Sequence, residues 1–328
     1  MTYRPPFTVS ASAINMIAGI SASIERYAMR MEQEDGLRLR KADRIKTIQG
    51  SLAIEGNTLS EEQITAIIEG KRVVAPVHEI QEVKNAVKAY DLYPSLDPYS
   101  MGDLLKAHGV MMAALIDKPG RFRTSGVGVV AGTQVIHMAP PAERVPELMS
   151  KLFDWLKQSE DHLLIRSCVF HYEFEFIHPF ADGNGRMGRL WQSLLLGQLH
   201  PIFQYLPVEN MVFAKQQEYY QAINLSTRNA DCGVFIDFML DEILLTLNRR
   251  SKTPNVGVGV GVSVGVKILE HIRSHPGCRA NIIAAALSIS SRTVERHIRQ
   301  LKEQGKIEFR GAPKTGGYYH IETSLSNS

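Results

Sequence analysis

Residues 178–191 read HPFADGNGRMGRLW, which combines one histidine, one aspartate, one asparagine, three glycines and two arginines. The preceding run at 162–177, HLLIRSCVFHYEFEFI, has an apolar face and predicts a helix. Pro179 cannot continue that helix, so His178 is predicted to lie at its end. A second helix is predicted directly after Gly185. The stretch therefore predicts a polar loop held between two helices.

The residues of this loop predict an anion-binding site. Gly183, Asn184 and Gly185 allow backbone angles that larger residues resist, so successive N–H groups can converge on one anion. The helix that follows directs the positive end of its dipole at the same place. Arg186 and Arg189 stand three positions apart, and both can face the loop. Together these groups predict a site for polyphosphate.

Two further side chains predict chemistry at this site. Asp182 offers the hard carboxylate oxygen that Mg²⁺ prefers beside phosphates. His178 is the nearby group that accepts a proton near neutral pH. Simpler interpretations exist: a histidine that caps a helix, a turn, and two solvated arginines. Their occurrence together and in this order favours bound nucleotide phosphates, Mg²⁺ on Asp182, and His178 as the base for an incoming hydroxyl.

The rest of the first 250 residues predicts a mostly α-helical protein with one β-hairpin. Ser60 and Gln63 form a capping box, which marks the start of a helix. The hairpin is predicted at 124–138, TSGVGVVAGTQVIHM, where two β-rich runs flank Ala131, Gly132 and Thr133. It is either a connecting element or a flap beside the active site. The predicted helices are 36–54, 61–69, 79–92, 100–115, 143–158, 162–177, 186–200, 211–225 and 232–249.

The last part of the chain has its own organisation. SKTPNVGVGVGVSVGV, at 251–266, alternates valine with glycine or serine and predicts a partly extended linker. Helices are predicted at 266–274, at 280–287 and from Ser290 or Ser291 to Gln304, and a hairpin around a glycine-rich tip at 306–321. This order resembles the winged helix–turn–helix domains of bacterial regulators.

The charge of this last segment is positive. From Val266 onward it holds ten Lys and Arg against five Asp and Glu, although the whole chain has a net charge of only +3. In the third helix Val294, Ile298 and Leu301 share one face. DNA binding and protein docking both remain open for this domain, and the candidate DNA contacts are Arg292, Arg296 and Arg299.

The sequence HPFADGNGRMGR matches, position by position, the signature His-x-Phe-x-(Asp/Glu)-Gly-Asn-Gly-Arg-x-x-Arg of the Fic family. The resemblance covers roughly residues 30–250. It implies a Fic helical domain that moves AMP from ATP onto a Ser, Thr or Tyr hydroxyl of a target protein, or of itself. In that reaction His178 would deprotonate the hydroxyl and Asp182 would hold Mg²⁺, while Arg189 would bind the γ-phosphate.

The resemblance also implies further site residues. Phe180 would pack under the loop, and the 124–138 flap would clamp the target segment by strand addition. NMVFAKQQEYYQAI, at 210–223, is similar to the family's adenine-side helix. This similarity implies that Tyr219 and Tyr220 contact the adenine base or the ribose. The nucleotide-binding set is then Gly183, Asn184, Gly185, Arg186, Met187, Gly188, Arg189, Tyr219 and Tyr220.

The run SLAIEG, at 51–56, fits the family's inhibitory pattern, Ser/Thr-x-x-x-Glu-Gly/Asn. The simpler interpretation is a helix end with a glycine cap. However, a carboxylate in the last turn opposes the helix dipole and needs a nearby cation. The resemblance implies that this cation is Arg189, so that Glu55 occupies the γ-phosphate position and ATP binds unproductively. Ser51 would help to seat the helix, and the inhibition would be intramolecular.

Length and composition agree with this interpretation. A chain of 328 residues, 44% hydrophobic and 22% charged, is typical of a soluble globular protein with about two domains. We see no membrane-length apolar run and no secretory signal. The three cysteines show neither metal spacing nor a disulfide framework, which favours a cytoplasmic location. The predicted domains are an N-terminal helical region (1–98, inhibitory helix about 38–55), a Fic catalytic core (99–249), a Val/Gly linker (250–265) and a winged helix domain (266–328).

Two alternative functions stay open. One is an AMP-removing hydrolase that uses the same pocket, with Glu55 aligning a water molecule. The other is a DNA-binding regulator whose Fic domain senses nucleotide. The sequence does not determine the oligomeric state, so a homodimer also remains open.

Overall fold

The chain divides into two units, Met1–Lys252 and Thr253–Ser328, in the computed structural model. The described residues are 3–33, 36–131, 134–206, 212–252, 264–287, 291–303, 306–312 and 316–321. Among them, no helix combines the length and the apolar character needed to cross a bilayer.

The first unit is mostly helical, which confirms the predicted fold class. Most helix ends lie within a few residues of the prediction, and the capping box of Ser60 and Gln63 is formed. The helices are α1 Ala11–Gln33, α2 Gly36–Ile54, α3 Glu61–Ile68, α4 Val77–Asp91, α5 Met101–Met111, α6 Val145–Gln158, α7 Leu163–Ile177, α8 Asn184–Leu199, α9 Gln216–Asn229 and α10 Gly233–Lys252.

Helix α1 was missed by the sequence prediction. It begins after Ser10, whose hydroxyl accepts a hydrogen bond from the N–H of Ala13 at 2.9 Å. Its buried residues Ile20, Ile24 and Tyr27 recur at helical spacing, and α1 packs along α10. The periodicity needed to find this helix was therefore present in the sequence.

Helix α7 is the centre of the first unit. It packs against α6, α8 and α10 and is buried on nearly every side, as an interior helix must be. Its buried residues include the ionisable side chains of His171, Glu173 and Glu175. Because α7 is held from all sides, the residue at its C-terminus has a fixed position.

The predicted hairpin is present beside this helical body. Strand β1, Gly128–Ala131, pairs antiparallel with β2, Gln134–Met138, and the pairing is irregular between Val129 and Val130. Gly132 and Thr133, and the side chains of 128–137, lie outside the described residues. The hairpin prediction is confirmed.

The second unit confirms the winged helix order. It contains α11 Val264–Ser274, α12 Ala280–Leu287, α13 Ser291–Glu303, β3 Ile307–Arg310 and β4 Gly317–His320. Val294, Ile298 and Leu301 are buried in its core, as predicted. Arg299 is exposed, whereas the side chains of Arg292 and Arg296 lie outside the described part.

The predicted linker differs from the structure at both ends. Helix α10 continues through Lys252, and α11 begins at Val264, so both ends of the segment 250–265 are helical. Residues 253–263 lie outside the described part of the chain.

Residues before α1 are tied to the helical body. The hydroxyl of Tyr3 donates to Glu173 Oε2 at 2.8 Å, and the N–H of Cys232 donates to the carbonyl of Pro6 at 3.1 Å. Burial raises the pKa of Glu173 to about 7. The folded chain therefore holds a proton on Glu173 that the unfolded chain releases at lower pH.

We expect Glu173→Gln to weaken the pH dependence of stability. A raised carboxyl pKa stabilises the folded state below the ordinary value of 4.5, and this contribution is lost as the pH rises through about 7. The melting temperature of the wild type should fall by roughly 3–8 °C from pH 5 to pH 8, and part of this fall should disappear in the variant. Scanning calorimetry measures it, with exposed Glu160→Gln as the control. An unchanged pH dependence in Glu173→Gln would contradict the assignment.

Candidate active site

His178 lies directly after α7 in a left-handed backbone conformation, with φ 49° and ψ 61°. Its N–H donates to the carbonyl of Phe174 at 2.9 Å, which closes the last turn of the helix. The left-handed region costs a residue with a Cβ about 1–2 kcal/mol, so the surroundings must hold it there. The prediction that α7 ends at this point is confirmed.

The buried guanidinium of Arg123 holds this turn. Its Nε donates to the carbonyl of His178 at 2.8 Å, and its backbone N–H donates to the carbonyl of Pro179 at 2.9 Å. Nη1 donates to the carbonyl of Ser125 at 2.9 Å, and Nη2 donates to that of Pro140. Ser125 and Pro140 flank the hairpin. One side chain thus joins the backbone at His178 to the base of the hairpin.

The remainder of the loop is fixed from inside the protein. The ring of Phe180 is fully buried and stacks on His108, with 3.6 Å between the centroids. The side-chain amide of Asn184 exchanges two 2.9 Å hydrogen bonds with the backbone of Phe180. His108 Nδ1 accepts from the N–H of Gly120, so Nε2 carries the proton and donates to the carbonyl of Asp182 at 3.0 Å. Burial lowers the pKa of His108 to about 4, so the ring is neutral.

The Asp182 carboxylate lies at the open side of the loop, with its side chain 57% exposed. Oδ1 accepts from the N–H of Gly183 at 2.6 Å, and Oδ2 lies 3.7 Å from Arg186 Nη2. Gly183 has φ 82°, and a Cβ there would lie 2.6 Å from Met112 Sδ. Both the backbone angle and the lack of space therefore require glycine at position 183. The Asp182 carboxylate lies beside Arg186.

The N-terminus of α8 faces the same loop. Its first backbone hydrogen bond runs from the N–H of Met187 to the carbonyl of Gly183 at 3.0 Å. The earlier N–H groups have no acceptor within the helix, and the helix dipole adds positive potential there. The guanidinium of Arg186, only 3% exposed, donates from Nη1 to Glu82 Oε1 at 3.3 Å.

Met187 and Gly188, also predicted as nucleotide contacts, lie on the inner side of α8. Met187 is fully buried in the core. A Cβ at Gly188 would lie 2.8 Å from Glu175 Oε1, so glycine is needed there to accommodate that carboxylate.

Arg189 binds the predicted inhibitory residue. Its guanidinium, 1% exposed, donates from Nη2 to Glu55 Oε1 at 2.8 Å and to the carbonyl of Ser51 at 3.0 Å. Burial, the largest single influence, raises the pKa of Glu55, but the charge and hydrogen bond of Arg189, together with the charges of Arg186 and His178, hold the pKa below the ordinary value. A Cβ at Gly185 would lie 2.6 Å from Glu55 Oε1, so glycine lets the ion pair rest on the α8 backbone.

Ser51 seats α2 through its carbonyl group. The residue is buried, but its hydroxyl has no hydrogen-bond partner among the described residues. The sequence thus placed Ser51, Glu55 and Arg189 together, and the backbone rather than the side chain of Ser51 makes the contact.

The two tyrosines of α9 lie in different surroundings. The hydroxyl of Tyr219 is buried 3.0 Å from His171 Nε2, and His171 Nδ1 lies 2.6 Å from Gln192 Oε1. Tyr220 is half-buried, and its ring packs edge-on against Tyr219. Nearby, Gln216 Nε2 donates to the carbonyl of Ile54 at 3.2 Å, which ties α9 to the end of α2.

Sequence reasoning missed four residues of the site: Glu82, His108, Arg123 and Glu175. Glu175 Oε2 lies 3.8 Å from His178 Nδ1, and burial raises the pKa of this carboxyl to about 7. Glu173 and Glu175 are the two acidic residues in an otherwise largely apolar helical run, and this unusual placement could have indicated a role for Glu175. The other three contact the loop from distant parts of the chain, and no local pattern marks them.

Two family models match the chain. Residues 98–196 match the Fic/DOC family, and residues 265–308 match a winged helix-turn-helix DNA-binding model.

Curated relatives are similar over part of their length. The chain is 34% identical over 193 residues to protein adenylyltransferase fic-1 of Caenorhabditis elegans, covering 54% of this chain and 35% of the relative. It is 28% identical over 203 residues to protein adenylyltransferase Fic of Nematostella vectensis, covering 58% and 45%. The chain thus spans less than half the length of these relatives.

Solved structures are similar over more of the chain. The structure of C. elegans Fic-1 shares the fold, with a TM-score of 0.57 and 22% sequence identity. The match covers 72% of this chain and 72% of that one. A Fic family protein from Desulfovibrio desulfuricans G20 is 41% identical with a TM-score of 0.75, and the match covers 99% of this chain and 100% of that one. With this identity across both whole chains, and the intact signature at 178–189, the chain belongs to the Fic family.

Proposed function

We propose that the chain is a protein adenylyltransferase that moves AMP from ATP onto Ser, Thr or Tyr hydroxyls of a target protein and of itself, and that Glu55 holds it inactive. The observation that carries this proposal is the buried Arg189 guanidinium at the N-terminus of α8, bound to Glu55 at 2.8 Å. The relatives that bear the name protein adenylyltransferase support it.

The triphosphate would bind where Glu55 now lies. Arg186 and Arg189 are both buried at the start of α8, where the N–H groups of the first turn face the loop. A charge-assisted hydrogen bond to phosphate is stronger than a neutral one, and burial limits competition from water. In this proposal Arg189 binds the γ-phosphate, and the backbone of 183–185 with Arg186 binds the phosphates closer to the ribose. Tyr220 and Tyr219 flank the nucleoside side.

His178 would act as the base. The target hydroxyl oxygen forms a new bond to the α-phosphorus, and the bond from that phosphorus to pyrophosphate breaks. Pyrophosphate leaves with the electron pair, and His178 takes the hydroxyl proton. When Nδ1 carries the ring proton, 3.4 Å from the carbonyl of Glu175, Nε2 is the basic nitrogen. Such a base contributes ~10²–10⁴-fold, and the cradle stabilises the developing charge.

Asp182 fits the role of a Mg²⁺ ligand. Its carboxylate is largely exposed beside the phosphate cradle, and Mg²⁺ favours one or two carboxylates together with phosphates and water. No group of three His, Cys, Asp or Glu side chains in the described part of the chain could hold a metal ion. The other ligands would therefore come from phosphate and water. Bound Mg²⁺ would neutralise phosphate charge.

The target segment would dock on the hairpin. Strands β1 and β2 form a two-stranded sheet among the described residues, and an extended peptide can add a strand to such an edge. Arg123 connects the base of this hairpin to the backbone of His178, which would hold a docked hydroxyl in register with the base.

Two alternatives have their own support. The Glu55 carboxylate lies at the loop, where it could align a water molecule for AMP removal in the same pocket. The second unit matches a winged helix-turn-helix DNA-binding model and exposes Arg299 on its third helix, which supports DNA binding as an additional activity.

We expect Glu55→Gly to raise AMP transfer by roughly 10²-fold, because the freed Arg189 can align the γ-phosphate and a misalignment of about 1 Å costs that much. Transfer from α-³²P-labelled ATP to the protein itself and to lysate proteins measures it. Glu55→Gly/His178→Ala is the matched control and should show only background labelling. If Glu55→Gly is no more active than wild type and also loses AMP-removing activity, Glu55 aligns water and the hydrolase alternative replaces this proposal.

Asp182→Ala, made in the Glu55→Gly background, should lower Mg²⁺-dependent AMP transfer by at least ~10-fold, because the site loses its exposed carboxylate. Nucleotide affinity without metal should change little. Calorimetry with ATP in EDTA or in Mg²⁺ separates the two effects. Equal Mg·ATP affinity and equal turnover in the variant would leave Asp182 as a turn residue only.

If the winged helix binds DNA, Arg292→Ala/Arg296→Ala/Arg299→Ala should weaken DNA binding and flatten its salt dependence, with each lost phosphate contact reducing the slope by about 1. Mobility shifts of genomic fragments at several salt concentrations measure this. Arg228→Ala, at an exposed position on α9, is the control. The absence of any shift with the wild type at low salt would instead indicate a protein-docking domain.

A further inference from the structure

A carboxylate outside the family signature joins the phosphate loop to the inhibitory helix. Glu82, on α4, accepts a hydrogen bond from Arg186 Nη1 at Oε1, at 3.3 Å, and one from Asn57 Nδ2 at Oε2, at 2.8 Å. Arg186 and Asn57 are buried, and the Glu82 side chain is only 17% exposed. Hydrogen bonds to a charged group are stronger where water is excluded, so this three-residue link is well placed to fix both partners.

On one side the link fixes the end of the inhibitory segment. Asn57 also donates to the carbonyl of Glu79 at 3.2 Å, and Thr58 donates its N–H to the Glu79 carboxylate at 2.8 Å. Gly56, between this anchor and Glu55, has φ 93°, and nothing lies within 4 Å of the place a Cβ would take. The chain is thus held on α4 at Asn57, and the N–H of Asn57 donates to the carbonyl of Leu52 at 3.1 Å, which joins this anchor to the last turn of α2.

On the other side the link orients a phosphate-binding arginine. The hydrogen bond to Glu82 is the one that the Arg186 side chain makes within the described residues, and Arg186 Nε is buried there without a partner. The Asp182 carboxylate, at 3.7 Å, is beyond hydrogen-bond distance. Glu82 therefore fixes one edge of the guanidinium and leaves donors for phosphate oxygens.

We propose that Glu82 is a positioning residue with two tasks: it aims Arg186 at the nucleotide phosphates, and through Asn57 it holds the end of α2 where Glu55 reaches Arg189. This inference rests on the proposed function and extends it to the regulation of the same site. Glutamate is required because two oxygens must accept at once. In Glu82→Gln the carboxylate charge is lost from both bonds, and one of the two acceptors becomes an NH₂ donor, so both ties are weakened.

The two tasks predict effects that differ between two backgrounds. In Glu55→Gly, where the inhibitory carboxylate is absent, Glu82→Gln should weaken nucleotide binding by roughly 10-fold or more, as expected for a lost charge-assisted hydrogen bond. With Glu55 present, Glu82→Gln should loosen the end of α2. The activity gained on Glu55→Gly substitution should then be a smaller factor in the Glu82→Gln protein than in the wild type, because less inhibition is left to remove.

Glu79→Gln is the matched control. It is the same substitution on the same helix, and Glu79 holds the same loop through Thr58, but no contact joins it to Arg186 among the described residues. In the Glu55→Gly background its nucleotide affinity should stay within about 2-fold of the parent, since a lost bond to the loop leaves Arg186 unchanged.

The binding experiment is calorimetry with Mg²⁺ and α,β-methylene-ATP, whose carbon bridge prevents AMP transfer. It is run on Glu55→Gly, Glu55→Gly/Glu82→Gln and Glu55→Gly/Glu79→Gln. A second measurement needs no nucleotide: hydrogen exchange of residues 49–60 in wild type and Glu82→Gln, where the variant should exchange faster. Melting temperatures check folding. If Glu82→Gln does not fold, Glu82→Asp, which keeps the charge but is too short to reach both partners, replaces it with the same expectations.

The outcomes separate this inference from the proposed function. Equal affinity of the Glu82→Gln and Glu79→Gln double variants for α,β-methylene-ATP would overturn the positioning of Arg186. Unchanged exchange of residues 49–60 together with an unchanged activity gain would overturn the tie to α2. If Glu55→Gly binds the analogue but transfers no AMP from ATP, the proposed function fails, while the affinity and exchange comparisons still decide the role of Glu82.

Discussion

The C-terminus of α7 is the constraint on which the site depends. A helix end leaves carbonyl groups without partners, and here they lie in the protein interior, where an unpaired carbonyl is costly. The buried Arg123 guanidinium satisfies the carbonyls of Ile177 and His178 and, with its other N–H groups, those of Ser125 and Pro140. The same side chain that ends the central helix thus fixes the strained His178 and the base of the hairpin.

A second constraint is electrostatic. Arg186 and Arg189 are buried at the positive end of α8, so positive charge is concentrated where little water can screen it. Glu55 and Glu82 supply negative charge from α2 and α4, two helices outside the signature. A pocket that binds polyphosphate, as we propose, would therefore also favour a carboxylate of its own chain. In the proposed function, inhibition by Glu55 follows from this charge, and Glu55 binds Arg189 but not Arg186 among the described contacts.

Each of the three glycines of the signature is required for a different physical reason. Gly183 adopts a left-handed angle against Met112, Gly185 lets the Glu55–Arg189 pair lie on the helix backbone, and Gly188 makes room for the buried Glu175 carboxylate. The first acts on the shape of the loop, the second on what can approach α8, and the third on the packing of α7 against α8. His108, Phe180 and Asn184 hold the loop from its buried side.

The sequence by itself determined the elements that depend on near neighbours. Helical spacing and the Ser60 cap defined α2 and α3, Pro179 and the glycines defined the loop, and the order of elements defined the winged helix. The helical spacing of its apolar residues made α1 equally predictable from the sequence. Tertiary structure alone decided which distant groups hold the site: Arg123 is 55 positions from His178, His108 is 74 from Asp182, and Glu82 is 104 from Arg186. Such pairs form because the tertiary fold brings α4, α5 and the segment after α5 to the loop between α7 and α8. No spacing along the chain predicts these contacts.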